Sequence, residues 1–230
     1  MTILFTQYWD VNPGEYDDYS KFISEEFNPS LEKLGIELVG GFYVVVGSGP
    51  RIMAVAAVKN DMGLLAALSS REYRIVSTRL MKYIYNYGNK VWIPTGMFRD
   101  QTFGIQTGAW KFNQYYDIVP GKEDEHNRFV KDEAIPMMKQ LGVPVTHGWR
   151  LSVGTGPRIL AECTARTFVD IAEAIDSAEY RKLARTLKKT YTTHFNSRIL
   201  APTGRVEVPY LIKNMMKDRK STRLNSSHRL

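Results

Sequence analysis

Gly47-Ser48-Gly49-Pro50-Arg51-Ile52 returns 107 positions later as Gly154-Thr155-Gly156-Pro157-Arg158-Ile159, and this repetition decides the fold. Sliding the chain over itself by the same offset aligns far more than a turn. Phe5, Gln7, Tyr8, Asp10, Pro13 and Gly14 fall on Phe112, Gln114, Tyr115, Asp117, Pro120 and Gly121. Phe22, Glu26, Pro29, Leu34 and Gly35 fall on Phe129, Glu133, Pro136, Leu141 and Gly142, and Ser70, Glu72, Tyr73 and Arg74 on Ser177, Glu179, Tyr180 and Arg181. No gap is needed until Pro94-Thr95-Gly96 meets Pro202-Thr203-Gly204 one residue late. A match this long at one offset is a duplicated domain. The units are expected at residues 1–100 and 108–213, each of ordinary small-domain size.

Composition allows a real core, with 43% hydrophobic residues, 13 Tyr and 4 Trp. The single cysteine, Cys163, excludes an intramolecular disulfide framework and a multi-cysteine metal site. No apolar run approaches a membrane span, and Met1-Thr2-Ile3-Leu4-Phe5 runs directly into a strand pattern. The expectation is therefore a cytoplasmic protein without membrane association. Asp218 to His228 reads as a translated sequencing adapter, although an ordinary polar tail has the same composition. Residues 218–230 carry four basic residues and one acidic one, so the rest of the chain stands at +4 rather than the overall +7. An excess that small argues against a nucleic-acid partner.

Within each unit the pattern predicts β-α-β-β-α-β. Ile3 to Asp10 is an aromatic, β-branched strand closed by Asn12-Pro13-Gly14. Tyr16, Tyr19, Phe22, Ile23 and Phe27 mark a helix that Asn28-Pro29 should interrupt, with a second short helical piece starting there and ending at Leu34-Gly35. Leu38–Val46 and Ile52–Val58 form a hairpin about the Gly-x-Gly-Pro-Arg turn. Leu64 through Ile84 predict one longer helix, followed by a short strand at Lys90–Ile93. Residues 97–109 link to the second copy. This is the ferredoxin-like order, whose bare sheet face needs cover. The second unit can supply it, giving a fused pseudo-dimeric α+β barrel and a monomeric chain.

Gln7-Tyr8-Trp9-Asp10 with Pro13-Gly14, then Pro29 to Gly35, then the Gly-x-Gly-Pro-Arg hairpin, resemble the NIPSNAP-type branch of the dimeric α+β barrel superfamily. The resemblance spans roughly residues 3–205 and rests on turns and helix boundaries. It implies a barrel that binds, and in one version transforms, a small and largely apolar molecule without a cofactor. Two alternatives stand beside it: a cofactor-independent monooxygenase or isomerase, and a non-enzymatic interaction module that uses the basic helix of Arg181, Lys182, Arg185, Lys188 and Lys189. Haem-binding relatives of the fold use a second-unit histidine as ligand, for which His194 is the single candidate.

Candidate ligand contacts follow from parity along the second hairpin. If Val153 stands opposite Ile159, then Trp149, Leu151, Val153, Ile159, Ala161 and Cys163 share an apolar, helix-facing side. Arg150, Ser152, Glu162 and Thr164 then share the other, with Arg150 opposite Glu162. The first unit has Tyr43, Val45, Val55 and Ala57 at those positions, so a site is expected in the second unit. A satisfied ion pair on a wet sheet face would leave the same pattern. Gln7 and Gln114 need partners if buried, and each is a structural or a ligand contact. Tyr115, beside Gln114, is the remaining candidate. Asp10 and Asp117 are expected to cap the Pro-Gly turns. No P-loop, dinucleotide fingerprint, nucleophile elbow or zinc motif is present.

Deleting residues 218–230 should leave the melting temperature unchanged within about a degree, because the segment has no apolar surface to bury. Thermal unfolding of the truncated chain checks this, and a drop of several degrees would show that the tail packs.

Overall fold

In β1 (Ile3–Val11) residues alternate between two buried faces, and this double burial dictates the architecture. Ile3, Phe5 and Trp9 pack with helix residues, whereas Leu4 and Tyr8 join a separate apolar cluster. A strand buried on both sides needs a second layer beyond the helices, and the duplicated unit provides it. The computed structural model describes residues 2–59, 61–98 and 108–205. The tail after 205 and most of the linker lie outside them.

The first unit continues with α1 (Tyr16–Phe22), a π-helical turn (Ile23–Phe27), α2 (Asn28–Lys33), β2 (Glu37–Val46), β3 (Ile52–Val58), α3 (Asp61–Ser69), α4 (Arg71–Leu80) and β4 (Ile84–Pro94). The second repeats the order with β5 (Trp110–Ile118), α5 (Glu123–Phe129), a π turn (Val130–Ala134), α6 (Ile135–Gln140), β6 (Val145–Val153), β7 (Ile159–Ala165), α7 (Phe168–Asp176), α8 (Ala178–Thr186), a π turn (Leu187–Tyr191) and β8 (Thr192–Pro202).

Pro29 stands where the sequence predicts, in the first turn of a second short helix, α2 from Asn28, and Pro136 does the same in α6 from Ile135. The chain stays helical through a wider π turn on the N-terminal side, which accommodates a residue that cannot donate to the preceding turn. The long second helix differs from the sequence expectation and is split. Ser70 caps α4 by accepting from the Tyr73 amide at 3.0 Å, and Ser177 does the same for α8 through Tyr180 at 3.1 Å. Ile84 opens the last strand rather than ending a helix, so β4 is longer than Lys90–Ile93.

The strands close into one barrel in the order β1-β3-β2-β8-β5-β7-β6-β4. Every neighbouring pair is antiparallel. The seams between units are β2–β8 and β4–β6, at Val44↔Leu200 and Ile93↔Arg150 among others. The duplicated Pro-Thr-Gly segments extend them, Thr95 donating to the Gly148 carbonyl at 2.9 Å and Thr203 to Gly41 at 2.7 Å. Arg205 ties the units again. Its guanidinium donates to Tyr16 Oη at 2.9 Å and Ser20 Oγ at 2.8 Å, across the first unit's aromatic cluster.

Asp10 and Asp117 do something other than cap their Pro-Gly turns. Each accepts from the backbone amide of the hairpin arginine, Arg51 at 2.7 Å and Arg158 at 2.8 Å. Their second oxygens meet Asn86 and His194, the two non-glycine residues with left-handed backbone among the described residues, at 3.0 Å in each case. Each carboxylate thus pins its hairpin turn to the bulged start of the last strand.

Each unit alone would leave the barrel-facing side of its sheet open to water. Isolated residues 1–100 or 108–217 are expected to self-associate through that face. Size-exclusion chromatography with light scattering checks it, and a folded, soluble monomeric half is the contrary result.

Candidate functional site

Because directions alternate around the barrel, strands related by the duplication run the same way, and both hairpin turns come to one end. The interior can therefore be read as matched pairs. Tyr8 matches Tyr115, and Thr6 matches Asn113. Trp92 matches Leu200 and Lys90 matches Arg198 after the one-residue shift. Burial raises the pKa of Tyr8 well above that of a free phenol and that of Tyr115 less strongly, so both hydroxyls stay protonated as donors.

Away from the turn end the symmetry fails. Leu4, Gly40, Val55 and Ala57 of the first unit correspond to Lys111, His147, Glu162 and Thr164 of the second. Glu162 is 1% exposed and Lys111 2%, and Lys111 Nζ meets Glu162 Oε1 at 2.6 Å. His147 Nδ1 lies 3.4 Å from the same oxygen, with its ring stacked on Trp149 at 5.7 Å. The Lys111 ammonium also stands 5.5 Å from the Phe42 ring. Burial alone would raise the Glu162 pKa. The Lys111 charge, with the His147 contact, outweighs it and brings the carboxyl below its ordinary value. Glu162 is thus an ionised carboxylate inside a largely apolar barrel, and among the described residues its Oε2 has no hydrogen-bond partner.

Glu162 is therefore interior, but its partner is not Arg150. In the observed register Arg150 pairs with Ile159 and His147 with Glu162. The hairpin closes at Leu151 and Arg158 rather than at Val153 and Ile159. That shift is odd, so it exchanges the faces of β6 relative to β7. Trp149 and Leu151 turn into the barrel, while Arg150 and Ser152 lie on the opposite face, exposed. Ile159, Ala161 and Cys163 do pack under the helices, where burial raises the Cys163 thiol and keeps it inert.

The remaining candidates divide the same way. Thr164 follows Glu162 on its face and pairs with Lys111 across β5 and β7, and Tyr115 is interior. Gln7 faces the helices, donating to Tyr87 Oη at 2.8 Å and Tyr73 Oη at 3.3 Å, a structural role. Gln114 is its buried counterpart. The structure thus gathers Tyr115, Glu162 and Thr164 and separates Gln7, Gln114, Arg150 and Ser152 from them. Sequence reading missed Lys111 and His147. The available signal was a lysine aligned with Leu4 in a strand otherwise aromatic and apolar.

His194 does not fit the part of a haem ligand. Its side chain is 76% exposed, at a strand bulge outside the barrel, and is held by Asp117. The space between helices and sheet in its unit is filled by packed side chains. Among the described residues no cluster of three or more His, Cys, Asp or Glu is placed to hold a metal ion. No described helix is long and apolar enough to cross a membrane.

Solved structures share the whole architecture. A chlorite dismutase variant from Candidatus Nitrospira defluvii, crystallised with cyanide, superposes with a TM-score of 0.60 at 10% identity, covering 90% of this chain and 92% of its own. The fold is a dimeric α+β barrel built from one chain. A candidate monooxygenase from Lactobacillus acidophilus matches at a TM-score of 0.58 and 9% identity, over 87% and 93% of the two chains. An anthrone oxidase-like protein matches at 0.56 and 9%, over 88% and 91%. A NIPSNAP family protein from Agrobacterium tumefaciens spans 42% of this chain and 95% of its own, at 17% identity and a TM-score of 0.36. The dimeric α+β barrel expected from the sequence holds at the level of fold. No protein-family model and no curated protein matches the chain.

The buried ion pair gives a stability prediction. Lys111→Leu strands the Glu162 charge and should cost about 3–5 kcal/mol. Lys111→Leu with Glu162→Val copies the first unit's Leu4 and Val55 and should recover most of that loss. Urea unfolding of the three proteins checks it. In the native chain the depressed Glu162 pKa contributes stability that is fully present above the unfolded carboxyl's value. It should be lost as pH falls through the lower folded value, and the double variant should lack this acid-side loss.

Proposed function

We propose that the barrel interior takes up a small, largely apolar molecule and that the second unit supplies its polar contacts. The observation that carries this reading is Glu162: an ionised, buried carboxylate whose Oε2 has no partner among the described residues, at a position where the first unit has Val55. A buried ion pair is a poor device for stability, and an apolar solution exists at the matched positions of the same protein. Phe42 stands 5.5 Å from the Lys111 ammonium and Leu200 pairs with Lys111 across β5 and β8, and both belong to an apolar cluster with Leu4, Val55, Ala57 and Trp149. A ligand donor presented to Glu162 Oε2 would complete its hydrogen bonding.

The enzymatic version of this reading uses the same groups. Glu162 accepts a proton from an acidified C–H or O–H, while Lys111 and His147 stabilise the charge that develops. Proton abstraction of that kind is what a cofactor-independent monooxygenase or isomerase requires, and the folds named above as monooxygenase and oxidase-like are compatible with it. A second reading, the interaction module, is favoured by the basic face of α8 and the π turn after it. Arg181, Lys182, Arg185, Lys188 and Lys189 there are all exposed.

Mass spectrometry of small molecules that co-purify with the protein tests the proposal. The native chain should carry a low-mass apolar compound, and the folded Lys111→Leu, Glu162→Val variant should lose at least about nine-tenths of it, a tenfold effect. Equal retention by the double variant would remove Glu162 from the site.

A further inference from the structure

The Gly-x-Gly-Pro-Arg turns have no part in the site around Glu162, yet both press on a cation. A Cβ built on Gly49 would stand 2.6 Å from Arg198 Nη2, and one on Gly47 would meet Arg198 Cγ at 2.9 Å. In the second turn a Cβ on Gly154 would meet Lys90 Cγ at 3.0 Å, and one on Gly156 would lie 3.3 Å from Lys90 Nζ. The glycines allow the left-handed backbone of these turns. They also let each turn close over the cation of the other unit's last strand.

Among the described residues no carboxylate pairs with Lys90 or Arg198. Their visible partners are ring faces. Arg198 stands 5.5 Å from both the Tyr8 and Tyr115 rings, and Lys90 stands 5.8 Å from Tyr8 and 5.6 Å from Trp92. Among the described residues Arg198 Nε is buried without a hydrogen-bond partner, and the Tyr8 hydroxyl beside it meets the Thr6 and Tyr115 side chains short of a well-formed hydrogen bond. Burial, and then the Arg198 charge, lower the pKa of Lys90, as expected of two cations with no anion between them. Such an arrangement costs stability in isolation and repays it on binding a counter-charge. Val46 and Val153, matched by the duplication and both exposed, end the strands that enter the turns and give this end an apolar rim.

We propose that the turn end of the barrel binds an oxyanion carried on a flat apolar body, such as an aromatic carboxylate. Lys90 and Arg198 pair with the oxyanion, and the Tyr8 hydroxyl donates to it. The inference rests on the cations and turns alone and does not depend on a role for Glu162.

Calorimetric titration with 2-naphthoate tests it, beside the uncharged 2-naphthalenemethanol and inorganic sulfate. The native chain should bind naphthoate at least about tenfold more tightly than either comparison compound, a difference well above measurement error. Lys90→Met and Arg198→Met should each weaken naphthoate binding by about tenfold or more. Each should keep or raise the melting temperature, because repulsion between the cations is relieved. Equal binding of the alcohol, equal binding of sulfate, or naphthoate affinity unchanged in the variants would each overturn the proposal. A fall of several degrees in melting temperature with binding intact would assign the cations to stability instead. Arg198→Lys keeps the charge without the guanidinium fork and should bind measurably better than Arg198→Met; if Arg198→Met fails to fold, Lys90→Met carries the same test.

Discussion

Everything in this protein depends on the pairing of β2 with β8 and of β4 with β6, the two seams where one unit's sheet meets the other's. A ferredoxin-like unit covers one sheet face with helices and leaves the other bare. Closing two such sheets edge to edge buries both bare faces at once and removes every open edge. The strands then have two apolar sides, which is why Ile3 to Trp9 is buried without interruption. It also explains why interior side chains such as Trp92, Trp149 and Lys111 are among the most buried in the molecule.

Much of this was legible from one offset. The duplication gave the fold class, the strand order and the need for face-to-face closure, because repeated turns and helix boundaries survive where other residues drift. What was not legible was register. The faces of β6 and β7 were assigned from where the turn was assumed to close, and an odd shift exchanged them. Glu162 was rightly placed off the helix face but was given Arg150 as partner. Its actual partner, Lys111, lies on β5, a strand distant in sequence, and no local pattern links the two. The same holds for Gln7, whose phenol partners come from α4 and β4. The one helix boundary missed was local: Ser70 and Ser177 each cap a new helix inside what the apolar spacing presents as one.

The two ends of the barrel are chemically different. The turn end keeps the internal symmetry, with paired tyrosines and paired cations, and its polarity is spread over both units. The other end concentrates its polarity in the second unit, where a carboxylate, an ammonium and an imidazole meet among apolar side chains. Buried charge of this kind is costly to desolvate, and the molecule holds it in a fold whose first unit shows an uncharged way to fill the same space.

Covalent joining of the two units has a consequence of arithmetic. When such a barrel is assembled from two identical chains, every side chain lining it arrives in duplicate about the twofold axis, and any interior charge arrives with a twin. A lone acid–base pair is impossible there: two would be obliged to share one small, poorly solvated space. Encoding both halves in one reading frame lifts that parity rule. Each position can then be altered on one side only, and Leu4 beside Lys111, or Val55 beside Glu162, is what that freedom looks like in the sequence.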